Sequence, residues 1–280
     1  MKVLVTGGAG QLARAIRWTW GSHDLLFPDE TVLDLASREA IHSVIAQANP
    51  DVVINAGAFT QVDLCEVEPA TAMLINGEAV GWLAEACDRQ KALLVQISTD
   101  YVFDGTGKHP YLETDPVNPL SVYGKSKLLG ESNGLAAREH LIARTAWLYD
   151  AWGRNFLLTI QKAAAQGQSL RVVNDQSGAP TSCRALARQM LIGVEEGWRG
   201  LVHCTCSGET TWHGFAHEIF QQAGIQADLS PCTTADYPLP APRPAYSVLD
   251  GHRRSAFGTD LMPDWCEALS EVLSSDQPAG

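Results

Sequence analysis

Short apolar runs alternate with helix-length amphipathic segments through the first half of the chain. The apolar runs, which predict strands, cover residues 2–6, 25–27, 52–55, 93–97 and 141–144. The segments between them, which predict helices, cover residues 11–20, 38–47, 70–89 and 121–137. Repeated strand–helix–strand units require crossover connections, so neighbouring strands are parallel and helices cover both faces of the sheet. The pattern therefore predicts an α/β fold with a doubly wound parallel sheet.

The pattern becomes looser after about residue 150. Residues 155–166 and 185–196 favour helix, residues 170–173 and 201–204 favour strand, and residues 231–244 are rich in proline. Proline lacks the backbone donor that a helix interior or a central strand needs. We expect residues 1–150 to form the doubly wound domain and residues 151–280 a smaller lobe. The boundary is interleaved, and the proline-rich loop is expected near the cleft.

Composition and charge narrow the function classes. The chain has 280 residues, a formal net charge of −12 and no apolar run approaching the ~20 residues of a membrane helix. An acidic chain is not attracted to nucleic acid or to an anionic membrane surface. The seven cysteines include no Cys-x-x-Cys pair, and Cys204 and Cys206 beside His203 lack the spacing of a structural zinc site. We expect reduced thiols, no metal and a cytoplasmic location.

A glycine-rich turn follows the first predicted strand. Gly7-Gly8-Ala9-Gly10-Gln11-Leu12-Ala13 also begins the first predicted helix. A pyrophosphate needs backbone N–H donors at a helix N-terminus with no side chain in the way, which glycines allow. The alternative, a flexible turn, gives no reason for this position. The motif therefore predicts dinucleotide binding.

The end of the second predicted strand bears on which nicotinamide cofactor is used. Acidic residues there select the ribose hydroxyls of NADH, and basic residues accept the extra phosphate of NADPH. The sequence reads Phe27-Pro28-Asp29-Glu30, without arginine, which favours NADH or dual use. Asp34 and Leu35 are either an adenine contact or an ordinary acidic helix start.

Tyr123 and Lys127 are the candidate proton donor and its neighbouring cation. A spacing of four places them on one face of a predicted helix, one turn apart. At that distance an ammonium stabilises a phenolate by about 4 kcal/mol, so we expect the pKa of Tyr123 to be lowered toward neutral pH. Such a phenol can protonate a carbonyl oxygen. The alternative is an ordinary surface pair on a helix.

A second segment supports the catalytic interpretation. Ser98-Thr99-Asp100-Tyr101 follows a buried strand, at the edge where open α/β sheets place their ligands. A hydroxyl there, from Thr99 or Ser98, can hydrogen-bond a substrate carbonyl.

Four motifs together resemble one known family over nearly the whole chain. They are residues 6–12, Asn-Ala-Gly-Ala-Phe-Thr-Gln-Val-Asp at 55–63, Ser-Thr-Asp-Tyr-Val-Phe-Asp-Gly at 98–105 and Pro-Leu-Ser-Val-Tyr-Gly-Lys-Ser-Lys at 119–127. Residues 144–149, 174–181, 210–213 and 243–244 agree as well. The chain resembles the dTDP-4-dehydrorhamnose reductases, which are extended short-chain dehydrogenases. This resemblance implies NADPH- or NADH-dependent reduction of the 4-keto group of dTDP-4-dehydro-L-rhamnose.

The resemblance also assigns roles to residues. It implies the catalytic trio Thr99, Tyr123 and Lys127, the last two also touching the cofactor. Further cofactor contacts are expected from Gly7, Gly10, Gln11, Leu12, Asp34, Leu35, Ala58, Phe59 and Thr60. The nucleotide sugar would meet Thr99, Asp100 and Trp147. Arg243, on a stiff Pro-Arg-Pro segment, is our candidate for the counter-charge of the diphosphate.

Departures from the family pattern leave alternatives open. Ala13 replaces the usual last glycine of the turn, and Phe59 stands where histidine or tyrosine is common. Cys183-Arg184 replaces the acidic residues with which some relatives share a metal between subunits, so we expect a monomer or a weak homodimer. Another 4-ketoreductase or an epimerase of the family is one alternative function. A non-catalytic nucleotide-binding regulatory subunit is the other.

Overall fold

A six-stranded parallel sheet forms the centre of the molecule in the computed structural model, which describes residues 1–274. The strand order is β10-β5-β4-β3-β1-β2, and every neighbouring pair is parallel. The six strands are β1 (Lys2–Thr6), β2 (Asp24–Leu26), β3 (Val52–Asn55), β4 (Leu93–Thr99), β5 (His140–Thr145) and β10 (Gly200–His203). The predicted doubly wound α/β class is confirmed.

Helices cover both faces of this sheet. The eleven α-helices of the described chain are α1 (Gln11–Thr19), α2 (Arg38–Ala48), α3 (Val62–Val67), α4 (Pro69–Met73), α5 (Ala79–Gln90), α6 (Val122–Gly134), α7 (Phe156–Ala165), α8 (Cys183–Glu195), α9 (Trp212–Ala223), α10 (His252–Ala256) and α11 (Trp265–Ser274). Because side chains alternate along a strand, Val3 and Val5 of β1 pack with α1 and α8, whereas Leu4 packs with α2 and α5. The sheet therefore has one apolar core on each face.

The structure divides the helix that the sequence predicts over residues 70–89. Between α4 and α5, residues Leu74–Glu78 form a π-helical turn. An inserted residue of this kind is invisible in an apolar pattern and often marks a functional position. Here the turn aims the side chain of Asn76 into the protein, where it is 1% exposed.

The remaining strands build the second lobe. They form three two-stranded sheets, from β6 (Leu148–Tyr149) with β9 (Thr181–Ser182), β7 (Leu170–Val173) with β12 (Leu229–Cys232), and β8 (Ser177–Gly178) with β11 (Thr210–Thr211). An apolar core between α7, α9 and α11 supports them. The proline-rich segment contains only β12 and a short 3-10 turn over Thr234–Asp236, as its composition predicts.

Two further expectations concern membranes and metals. None of the helices that the structure describes is long and apolar enough to cross a membrane. Within residues 1–274, no group of three or more His, Cys, Asp or Glu side chains is placed to hold a metal ion. All seven cysteines carry free thiols. The last six residues of the predicted lobe, 275–280, lie outside the described part.

Candidate active site

One cleft of about 1140 Å³ runs along the carboxyl ends of the sheet strands. Open parallel sheets bind their ligands at this edge. The cleft is lined by most of the residues that the sequence singles out: Gly7, Gly10, Gln11, Leu12, Asp34, Leu35, Ala58, Phe59, Thr60, Thr99, Tyr123, Lys127 and Trp147. Residues far apart in the chain are thus brought together as the motifs predict.

The glycine turn forms a cradle at one end of the cleft. Gly7 has φ +66°, and a Cβ built there would lie 2.6 Å from the Cα of Gly57 in the next loop. Gly10 is the N-cap residue of α1, and no side chain within residues 1–274 caps that helix. The first N–H groups of α1 are therefore available to an anion, and the helix dipole favours negative charge there. These residues fit the pyrophosphate of a dinucleotide.

Buried hydrogen bonds fix the loop opposite the glycine turn. The hydroxyl of Thr6 donates to Asn55 Oδ1 at 2.6 Å and accepts from the backbone N of Gly57 at 3.0 Å. Asn55 Nδ2 donates to Gln96 Oε1 at 2.8 Å. These bonds join the ends of β1 and β3 to the middle of β4, so the polar side chains are satisfied while the strands stay in register.

Asn76 connects the cofactor loop to the catalytic helix, a role that the sequence did not reveal. Its amide accepts from the backbone N of Phe59 at 2.8 Å and donates to the carbonyl of Phe59 at 3.0 Å. It also donates to the hydroxyl of Ser126 on α6 at 3.0 Å. An asparagine in an amphipathic helix normally predicts a solvent-facing position, and only the π turn places it inside.

Helix α6 presents Tyr123 and Lys127 to the cleft. Ser121 caps the helix by accepting from the backbone N of Gly124 at 3.1 Å. Lys127 is 4% exposed, and its ammonium donates to the carbonyl of Ile97 at 2.6 Å. This bond fixes the lysine between the helix and β4, whose end carries Thr99.

Burial controls the ionisation of both groups. It lowers the pKa of Lys127 to about 8, against an opposing effect of Glu131 one turn further along α6. It raises the pKa of Tyr123 above its ordinary value, and nearby Asp100 adds to the rise. The expectation that Lys127 alone moves the phenol toward neutrality is therefore wrong for the chain by itself. Desolvation outweighs the ammonium, which is directed at a carbonyl.

Thr99 connects the phenol to a buried carboxyl group. Its side chain lies beside the phenol of Tyr123, and its hydroxyl donates to Asp100 Oδ1 at 2.9 Å. Asp100 is 1% exposed, lies near Ser247 and is not among the cleft-lining residues. The sequence predicted that Asp100 meets the sugar. The structure instead directs its side chain to Thr99 and Ser247, because the strand end turns into a 3-10 helix at this residue.

Replacing Asp100 by asparagine is expected to stabilise the protein above pH 6. Burial raises the pKa of Asp100 from 3.8 to about 6, so the folded state binds a proton at Asp100 more tightly than the unfolded state does. The stability gained from this protonation is fully present below pH 4 and is lost as the pH rises through 6. Asp100→Asn has no such loss, and its advantage should grow toward roughly 3 kcal/mol at neutral pH. Melting temperatures of both proteins between pH 4 and 8 measure this. Asp24→Asn, on the exposed start of β2, is the control, and a constant difference for Asp100→Asn would contradict the account.

Trp147 forms an aromatic wall further along the cleft. Its ring is stacked on Trp212 with a centroid distance of 3.6 Å and an interplanar angle of 6°. Its backbone has φ 48°, which is uncommon for a bulky residue and typical of functional positions. A Cβ on Gly178 would lie 2.5 Å from the Trp147 indole. The lobe thus leaves room for the indole only because residue 178 has no side chain.

Arg243 lies beside the cleft and is engaged with another residue. Its guanidinium donates to both carboxylate oxygens of Asp63, at 3.1 and 2.9 Å. The same carboxylate accepts from the backbone N of Ala241 at 3.1 Å, and Arg243 lowers the pKa of Asp63. Arg243 is not among the lining residues. The predicted diphosphate cation therefore has its charge balanced within the chain and anchors the proline-rich segment to α3.

Comparison with known proteins assigns the chain to a family. The family described as RmlD substrate binding domain matches residues 1–277. The dTDP-4-dehydrorhamnose reductase of Burkholderia thailandensis is 42% identical over 295 aligned positions, which cover 96% of this chain and 97% of that protein. The chain belongs to the dTDP-4-dehydrorhamnose reductase family. The resemblance found in the sequence motifs is therefore confirmed.

Solved structures of family members agree with the fold over the full length. The dTDP-4-dehydrorhamnose reductase of Clostridium acetobutylicum has a TM-score of 0.95 and 42% identity, covering 98% of each chain. The Bacillus anthracis reductase, solved in complex with NADP, has a TM-score of 0.94 and 31% identity, covering 97% of this chain and 99% of that one. The chain is an NAD(P)H-dependent oxidoreductase of this family, as the sequence predicted.

Proposed function

We propose that this chain reduces the 4-keto group of dTDP-4-dehydro-L-rhamnose to give dTDP-L-rhamnose. The observation that carries this proposal is the shared cleft: Tyr123, Lys127 and Thr99 face the same space as the glycine turn. A dinucleotide with its pyrophosphate on the first turn of α1 can extend along this cleft toward Tyr123. Family membership supplies the substrate class.

The residues that hold the cofactor are those of the cradle and its opposite loop. We assign the pyrophosphate to Gly7, Gly10, Gln11 and Leu12, the adenosine end to Asp34 and Leu35, and the middle of the dinucleotide to Ala58, Phe59 and Thr60. When bound, the reduced nicotinamide supplies a hydride to the carbonyl carbon. The chain's own side chains donate the proton and stabilise the charge that this leaves.

Tyr123 donates its phenolic proton to the carbonyl oxygen of the substrate. The keto group then becomes a hydroxyl, and the phenolate that remains is stabilised by the neighbouring Thr99 hydroxyl, which turns its proton from Asp100 to the phenolate oxygen. Lys127, with its pKa lowered to about 8, still carries its charge at neutral pH. Its ammonium lies one helical turn from the phenolate and favours its formation.

Substrate recognition in this proposal uses side chains from both parts of the chain. Trp147 offers an aromatic face for the sugar ring. Arg243 can bind the diphosphate only if its guanidinium leaves the carboxylate of Asp63. Asp100 acts on the sugar indirectly, through its hydrogen bond with Thr99. We assign cofactor binding to residues 1–150 and the remaining substrate contacts to the lobe of residues 151–280, with Thr99 and Trp147 contributed from the first part and the edge strand β10 from the second part added to the central sheet.

The cellular setting is also a proposal. The seven free thiols and the biosynthetic reaction class favour a cytoplasmic enzyme. We propose a monomer or a weak homodimer, which sedimentation of the purified protein across a concentration series would test. Arg184 is fully buried against Asp150 within one chain, so it is not part of a surface that a partner subunit could contact.

An absorbance assay tests the function. The purified protein is mixed with NADPH or NADH and with the 4-keto sugar nucleotide generated in place by a dehydratase and an epimerase. We expect loss of the reduced-nicotinamide absorbance, one equivalent for each keto group consumed. An epimerase would carry bound NAD through purification and turn over without added cofactor, and a regulatory subunit would bind the nucleotide without consuming it. Either result would contradict the proposal.

A further inference from the structure

Arg17 lines the cleft on the side of the glycine turn and β2. It is on α1, beyond the glycine turn, and it is among the cleft-lining residues. Its guanidinium carbon lies 4.2 Å from the ring centroid of Phe27, so the charged group rests on an aromatic face. Within residues 1–274, no ion pair includes Arg17. The cleft therefore has an exposed guanidinium without a carboxylate partner.

The position of Phe27 indicates which part of a dinucleotide would meet this guanidinium. Phe27 follows directly after β2, the strand that pairs with β1. A Cβ built on Gly8 would lie 3.1 Å from the Cβ of Phe27, so this side chain borders the glycine turn. In this class of fold the adenosine ribose lies at the end of the second strand, and residues there distinguish a 2′-hydroxyl from a 2′-phosphate.

The charges at this end make Arg17 the decisive group. Asp29, Glu30 and Asp34 line the same end of the cleft and would repel a phosphate. Asp29 accepts from the backbone N and hydroxyl of Thr31, and Asp34 accepts from the backbone N of Ala36, so both carboxylates are fixed by their own turns. The other basic side chains of the described cleft, Lys127 and Arg154, belong to the catalytic helix and to the loop after β6. Among the cleft-lining residues that the structure describes, Arg17 is the cation placed to offset these acidic side chains.

We propose that Arg17 binds the 2′-phosphate of NADPH and gives this chain a preference for NADPH over NADH. The inference deepens the proposed function, since it assumes that the glycine turn holds a dinucleotide. An arginine suits this task because its planar guanidinium can stack on Phe27 and still direct N–H donors at phosphate oxygens. The sequence pattern at residues 27–30 favours NADH or dual use, since it contains no basic residue. The cation that we assign to the 2′-phosphate lies on α1 and not at the end of β2, so this pattern does not include it.

The test compares Arg17→Gln with Arg14→Gln. Both remove one guanidinium from α1, but Arg14 is stacked over Trp152 and is not among the lining residues. The probes are 2′,5′-ADP and 5′-AMP, which share the adenosine 5′-phosphate and differ only in the 2′-phosphate, titrated calorimetrically into each protein. We expect the wild type and Arg14→Gln to bind 2′,5′-ADP at least about tenfold more tightly, as one charge-assisted contact provides. Arg17→Gln should lose most of this preference and keep its affinity for 5′-AMP within about threefold.

Kinetics with the two cofactors provide a second measurement. In Arg17→Gln the KM for NADPH should rise about tenfold or more, while the parameters for NADH stay within about twofold. An undiminished preference for 2′,5′-ADP in Arg17→Gln, or an equal loss of affinity for both probes, would overturn the inference. Failure of the wild type to bind either probe would overturn it together with the proposed dinucleotide site. Selective probe binding by a protein that reduces no keto sugar would support Arg17's role and reject only the proposed substrate.

Discussion

Tyr123→Phe should reduce the turnover of the 4-keto substrate by at least ~100-fold, because the variant lacks the proton donor for the carbonyl oxygen. Phenylalanine keeps the ring, including its edge contact with Tyr101 at a centroid distance of 5.5 Å. The fold and the dissociation constant for NADPH should therefore change little. Steady-state turnover and NADPH fluorescence titration measure the two quantities on the same preparation.

Tyr101→Phe is the matched control for this prediction. It removes a phenolic hydroxyl from the neighbouring ring, which is not among the cleft-lining residues. We expect its turnover to stay within about threefold of the wild type, as for a change outside the reacting groups. If the two variants lost activity equally, the effect of Tyr123→Phe would be structural and the tyrosine would not be the proton donor.

Lys127→Met should have the second largest effect, with turnover falling about 100-fold or more and NADPH binding weakened as well. Methionine retains much of the buried volume but removes the ammonium beside the phenol and its 2.6 Å bond to the Ile97 carbonyl. The loss should affect kcat more strongly than the KM of the sugar nucleotide, since the charge acts on the phenolate. Steady-state kinetics with each substrate varied in turn separate these parameters.

Lys125→Met tests whether the position of the charge matters. Lys125 lies on the same helix and is exposed, so its removal makes the same change in net charge without touching the cleft. We expect near wild-type kinetics for this variant. Equal losses in Lys125→Met and Lys127→Met would show that the total charge of α6, and not the buried ammonium, governs the reaction.

The sequence predicted those parts of the site that depend on local pattern. Gly7 and Gly10 follow a strand and begin a helix, and Tyr123 and Lys127 are one helical turn apart, so both pairs were placed correctly in the cleft. The parallel, doubly wound sheet follows from the crossover rules in the same way. Elements of this kind are specified by neighbours along the chain.

Other parts depend on contacts that no local pattern contains. The π turn that aims Asn76 at Phe59 and Ser126 arises from tertiary packing within a predicted helix. Arg17 reaches the end of β2 from another element, and Arg243 meets Asp63 across a sequence separation of 180 residues. The pKa of Tyr123 was misjudged because the sequence shows its charged neighbour but not the burial that opposes it.

Isotope transfer tests the central claim most directly. The protein is supplied with NADPH deuterated at the transferable position of the nicotinamide and with unlabelled 4-keto sugar nucleotide, and the product is analysed by mass spectrometry and proton NMR. The account predicts one deuterium in the product, at C4 of the sugar, with one NADP formed for each product molecule. A 4-hydroxy product without deuterium, or sugar conversion without net oxidation of NADPH, would contradict it.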